Sequence, residues 1–167
     1  MKNISPSFLG DNMEKTYTYA LDLSLNSTGV CIFTNDGHFV KKTTIDTHSE
    51  KETRLKLSII GKEFIRLMKE YKPKIVIMEQ GFTLFNASTQ AVFRVHGVTN
   101  YLFCKYEQVY YPASTVKKVV GGKGNMSKEE VKNAILKKYP KMKFNNFDES
   151  DAFAVGETYF IKSGIKK

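Results

Sequence analysis

The chain has 167 residues, enough for one domain with a substantial hydrophobic core. Apolar residues make up 41% and charged residues 26%, the balance of a soluble globular protein, and no apolar run approaches the roughly 20 residues of a membrane-spanning helix. A net charge of +9 points to a polyanionic partner, nucleic acid before a membrane surface.

Residues 1–15 lack hydrophobic periodicity and hold Pro6, Gly10, Asp11 and Asn12, so a flexible extension is expected there, with one folded domain over 16–167. Residues 16–46 predict three strands. The first ends near Ser24, the second covers 30–33, and the third opens at Phe39-Val40 after the turn signal Asn35-Asp36-Gly37. Residues 51–71 predict a helix, because Leu57, Ile60, Phe64, Leu67, Met68 and Tyr71 recur at helical spacing with Lys and Glu opposite. Pro73 closes it, and the run Ile75-Val76-Ile77-Met78 reads as a buried strand ending on Glu79. A second helix is expected over 87–105, a fifth strand over 108–111, a short helix from Pro112 to Val120 and a glycine-rich loop over 121–125. Ser127 and Glu130 have the spacing of a capping box that opens a helix to Tyr139, and a last helix covers about 148–161. The order βββ-α-β-α-β-α-α-α predicts an α/β fold, a strand meander extended by parallel strands into a five-stranded mixed β-sheet flanked by α-helices on both faces.

Four carboxylates stand out against this framework. Asp22 lies in the strand pattern Tyr19-Ala20-Leu21-Asp22-Leu23-Ser24, Glu79 ends a buried strand, and Asp148 and Asp151 are three apart at the start of the last helix. Burying an unpaired charge is costly, so acids at the ends of apolar strands are poor structural choices. If the first and fourth strands are neighbours, Asp22 meets Glu79, and the face shared by Asp148 and Asp151 can dock over them. Oxygen-only ligands suit Mg²⁺ or Mn²⁺, and two such ions support phosphodiester cleavage. Capping competes as a reading for the last pair, with Asp148 as an N-cap and Asp151 favourable in the first helical turn. Cys31 and Cys104 lack metal-site spacing and read as reduced core residues, in a chain expected to be cytoplasmic. His38, His48 and His96 form no cluster.

Residues 117–143 carry nine lysines against two acids, next to the proposed site, which favours DNA contact over a passive solvated face. Only Arg54, Arg66 and Arg94 are arginines, and lysine neutralises phosphates without the bidentate reading of guanine that arginine provides. Backbone and shape should therefore be read more than base sequence. Phe82 follows Gly81 directly after Glu79, and an exposed ring there can stack on an unpaired base.

The segment Ala20-Leu21-Asp22-Leu23-Ser24-Leu25-Asn26-Ser27-Thr28-Gly29 resembles the first motif of RuvC-type Holliday junction resolvases. Glu79-Gln80-Gly81-Phe82 resembles their second, the stretch from Pro112 to Val131 their basic segment, and Asp148-Glu149-Ser150-Asp151-Ala152-Phe153-Ala154 their closing motif. The likeness covers about residues 17–160 in the right order. It implies an RNase H-like fold, a homodimer, and a Mg²⁺-dependent endonuclease that nicks two strands of a four-way junction. For that dimer, the second helix offers Val92, Val95, Val98 and Leu102 as a surface for the symmetry mate. The likeness also implies two ions per site held by Asp22, Glu79, Asp148 and Asp151. Lys117 and Lys128 fall where the family has catalytic or phosphate-binding lysines, Lys118 and Lys123 lie in the same DNA-binding segment, and Phe82 matches the base-stacking aromatic. The small, lysine-rich form resembles versions from phages of low-GC Gram-positive bacteria, which would act in the host cytoplasm.

Three other readings remain at this point. An RNase H-like nuclease acting on RNA–DNA hybrids or precursor ribosomal RNA shares the carboxylates. An actin-like ATPase or sugar kinase shares the look of the loop after Asp22, but needs two related domains around its nucleotide, so no nucleotide cofactor is expected. A non-catalytic architectural DNA binder would need the lysines but not four acids.

Overall fold

The computed structural model describes residues 15–80 and 87–166. Its sheet holds β1 (Tyr17–Asp22), β2 (Ser27–Thr34), β3 (Phe39–Asp46), β4 (Pro73–Glu79) and β5 (Glu107–Tyr111) in the order β3-β2-β1-β4-β5. The first three strands pair antiparallel, and β1–β4 and β4–β5 are parallel. The parallel crossovers are made by α1 (Thr53–Glu70) and α2 (Ala87–Leu102), and the chain then closes with α3 (Ala113–Gly121), α4 (Lys128–Lys138) and α5 (Phe147–Lys162). The expected five-stranded mixed sheet with helices on both faces is the one observed. The capping box also forms: Glu130 N–H donates to the Ser127 hydroxyl at 3.2 Å, and Ser127 N–H donates to the Glu130 carboxylate at 2.7 Å.

Strand alternation divides the core in two. Tyr19, Leu21, Val30, Ile32, Val76 and Met78 face α1 and α2, where Ile60, Phe64, Leu67 and Val95 meet them. Ala20, Cys31, Phe33, Ile75 and Ile77 face the other layer, where Val116, Val131, Ile135, Phe153 and Phe160 close over them. Full burial of each large side chain stabilises by about 1.5–3 kcal/mol, so a sheet covered on both faces is strongly held. The central strands β1, β2 and β4 are almost wholly buried, which is why their sequences read as continuous apolar runs.

Helix α5 lies close on the sheet because two glycines permit it. A Cβ on Gly29 would overlap the Asp148 carbonyl, and one on Gly156 would come within 2.5 Å of the Phe33 ring. This approach places the first turn of α5 against the start of β2. Buried charge holds it there. Glu149 accepts from the Asn145 backbone N–H at 2.8 Å and its amide at 3.0 Å, and pairs with Lys42 of β3.

Three sequence expectations need correction. Cys31 is buried, but Cys104 is exposed, because it follows the end of α2 at Leu102. Asp148 is not the N-cap of α5: Asn146 is, and its side chain accepts from Glu149 N–H at 3.0 Å. On α2, the apolar stripe Val92, Val95, Val98 and Leu102 suggested a surface for a second copy. Val95 belongs to the core, and Val98 and Leu102 pack over Gly61 of α1. The exposed aromatic surface of this region is instead formed by Phe93 and Tyr101, with Tyr110 of β5 beside them. His96 is tucked under it, its ring stacked on Tyr110.

Candidate active site

The parallel pairing of β1 with β4 runs Leu21 opposite Met78, so the next residue of each strand, Asp22 and Glu79, emerges at the same end of the sheet. Helix α5 crosses above this end and contributes Asp151. These three acids line one cavity of about 140 Å³ together with Lys117 of α3 and Lys128 of α4, over an apolar floor of Ala113, Val116, Val131 and Ala154. A space of this size has room for ions and several of their waters.

The electrostatics are those of crowded, partly dehydrated acids. Burial, then the charges of Asp151, Glu79 and Asp148, push Asp22 up to about 7 against the pull of Lys128. Glu79 is also raised, first by burial and then by Asp151, with Lys117 and Lys128 opposing. Asp151 is raised by burial too, while its hydrogen bond with Lys128, at 2.7 Å, offsets part of the effect. Burial alone would lower Lys128, but Asp151, Asp22 and Asp148 outweigh it and raise its affinity for a proton.

Asp148 stands at the edge of this group. It does not line the cavity, although its charge is felt by Asp22, Asp151 and Lys128. Its Oδ2 accepts a short hydrogen bond from the Ser27 hydroxyl. Lys118 and Lys123 are exposed beyond the cavity, Lys118 on α3 and Lys123 in the loop before α4. Phe82 lies outside the described residues. Sequence reasoning missed Ser27, which sits 121 positions from its partner. It also gave Glu149 no role, although Glu149 is buried and paired with Lys42.

The donor set fits a hard divalent cation: all-oxygen, mutually repelling, and poorly hydrated. Among the described residues no three His, Cys, Asp or Glu side chains stand close enough to share an ion as they are. The Lys128 ammonium supplies the compensating positive charge at Asp151. A cation would have to replace protons as well as shift this ammonium, which makes its binding pH-dependent. An acid whose pKa is raised in the folded state favours folding when protonated, and that contribution is lost as pH rises toward its folded value, about 7 for Asp22. The stabilisation obtained on adding Mg²⁺ or Mn²⁺ should therefore grow between about pH 5 and pH 8. Thermal melts with cation and with chelator across this range check it. An increment that is flat or shrinking with pH would mean that these acids do not hold the ion.

A family profile described as "Crossover junction endodeoxyribonuclease RuvC" matches residues 19–159. Proteins of that name from Rickettsia typhi and Gluconobacter oxydans are 30% and 31% identical to the chain, over 74% and 81% of its length and 81% and 84% of theirs. The solved structure of Thermus thermophilus RuvC superposes with a TM-score of 0.73 at 16% identity, covering 91% of this chain and 99% of that one. The same protein in complex with a Holliday junction substrate gives a TM-score of 0.74 at 15% identity, covering 91% of this chain and 98% of the other. At these identities the two structures speak for the fold, which is RNase H-like.

Proposed function

The chain belongs to the RuvC family of crossover junction endodeoxyribonucleases, and on that basis we propose that it is a metal-dependent endonuclease that nicks four-way DNA junctions. The observation that carries this reading is the cavity in which Asp22, Glu79 and Asp151 meet Lys117 and Lys128. Acids alone would repel a phosphodiester, and lysines alone would bind it without cleaving it.

Mg²⁺, or Mn²⁺ in its place, would be held by Asp22, Glu79 and Asp151 with Asp148 beside them, as two ions per site. When bound, such ions activate water and stabilise the leaving oxygen. The protein's own residues do the rest. The carboxylates are positioned by rigid strand ends and by α5, so little ordering remains to be done when DNA arrives. Lys117 and Lys128 offer positive charge to the phosphate at the point where negative charge builds up. Lys118 and Lys123 extend that charge outward along the DNA backbone. Phe82 would stack on a base at the open junction centre.

Two opposed strands need two sites, so we take the working form to be a homodimer, with the aromatic surface of Phe93, Tyr101 and Tyr110 as its contact. We read residues 16–167 as one domain and 1–15 as an extension to it. The protein would act on chromosomal or phage DNA in the cytoplasm. Among the described residues no helix is long and apolar enough to cross a membrane. The resemblance to phage versions rests on size and lysine content, while the relatives named above come from Rickettsia and Gluconobacter.

The deciding experiment compares Mg²⁺-dependent nicking of a synthetic four-way junction, a linear duplex and an RNA–DNA hybrid of the same sequence. Paired nicks in the junction alone support the reading. Preferential loss of the hybrid's RNA strand would replace it with an RNA-directed nuclease. Affinity should also fall steeply with salt, and neutralising Lys117, Lys118 or Lys123 should flatten the slope of log K against log[salt] by about 0.9 each. Unchanged slopes in filter binding at several salt concentrations would place the DNA elsewhere.

A further inference from the structure

The start of β2 is built to receive the first turn of α5. Three alternate residues of the strand face it. Cys31 Sγ donates to the Glu149 carbonyl at 3.4 Å, Gly29 leaves room for the Asp148 carbonyl, and the Ser27 hydroxyl donates to Asp148 Oδ2. The intervening residue, Thr28, turns the other way, and its hydroxyl donates to the Ser24 carbonyl at 2.6 Å. Ser27 thus holds Asp148 from a different element, 121 positions away in the sequence.

Asp148 has two competing attractions. It lies in the first turn of α5, where backbone amides favour a carboxylate, and it feels the Lys128 ammonium. Turning to the amides would withdraw it from the site, and turning to Lys128 would spend its charge there. The cap position itself is already filled by Asn146, so helix formation does not need Asp148. The Ser27 hydroxyl instead takes up Oδ2 of Asp148 and fixes the carboxylate from the strand side.

We propose that Ser27 is a positioning residue for Asp148, holding that carboxylate at the edge of the cavity so that a divalent cation bound by Asp22, Glu79 and Asp151 also gains Asp148. The proposal rests on the metal-dependent nuclease reading above. A group that orients a ligand without touching the ion is worth about ten-fold or more in metal affinity.

The test is calorimetric titration of the full chain with MnCl₂, without DNA. Ser27→Ala should weaken Mn²⁺ binding about ten-fold, and Ser27→Thr, which keeps the hydroxyl, should bind like wild type. In an Asp148→Asn background, Ser27→Ala should cost nothing further, because its effect passes through Asp148. Should Ser27→Ala fail to fold, Ser27→Val against Ser27→Thr makes the same comparison at constant shape, with melting temperature measured beside affinity. Unchanged affinity in Ser27→Ala or Ser27→Val, or an equal loss in the Asp148→Asn background, overturns the role of Ser27 and leaves the nuclease reading standing. A wild-type chain that takes up no Mn²⁺ overturns both.

Discussion

Replacing Asp22 by Asn should abolish junction nicking, by about a thousand-fold or more, while junction binding persists or tightens. Asp22 sits where β1, β4 and α5 converge, and burial first, then the neighbouring acids, push its pKa up to about 7. Its charge is tolerable in that position only when an opposite charge shares it. Asn keeps the shape but removes the charge that would hold a cation. It also removes one source of repulsion toward phosphate. The same variant should melt higher than wild type in chelator at pH 8, because the buried charge that Asp151, Glu79 and Asp148 oppose is gone. For a domain of this size each kcal/mol corresponds to about 2–4 °C. Rising thermal stability with collapsing activity is the signature of a functional acid, and a merely structural one would lose both. Nicking at near wild-type rate in Mg²⁺ would show that the metal site has been misplaced.

Lys128→Met should slow single-turnover nicking by about a hundred-fold while weakening junction binding far less. Lys128 is half-exposed, and its ammonium lies 2.7 Å from Asp151, so it reaches both the acids and whatever phosphate enters the cavity. Methionine keeps most of the stem and its packing but not the charge. Lys118 and Lys123 stand outside the cavity, so their loss should reduce affinity and leave the rate at saturating enzyme nearly unchanged. The contrast between the two classes of lysine is the test. Equal losses of rate and affinity at Lys128 would make it one more backbone contact. Lys128→Met carries a second expected effect. Lys128 lowers the pKa of Asp22, Glu79 and Asp151 alike, so without it the metal-free protein should lose more stability between pH 5 and pH 8 than wild type does.

The chain's own patterning determined the elements, because hydrophobic period, turns and caps are local properties. The stripe from Leu57 to Tyr71 required α1, the Ser127–Glu130 box required the start of α4, and the unbroken apolar run into Glu79 required a strand buried on both faces. The same patterning exposed Asp22 and Glu79, since an acid that ends a buried strand contradicts its surroundings. What lay beyond it was set by contacts between elements. Whether Asp148 or Asn146 caps α5 depends on the backbone angles at one residue, and either side chain is a good cap by type. The stripe on α2 was visible, but only the position of α1 turned Val98 and Leu102 inward and left Phe93 and Tyr101 outside. The hold of Ser27 on Asp148, the hydrogen bond from Lys128 to Asp151 and the burial of Glu149 against Lys42 join residues that no period connects. They exist because the strand order and the two glycines under α5 fix which helix turn meets which strand end, and that choice belongs to the packed molecule as a whole.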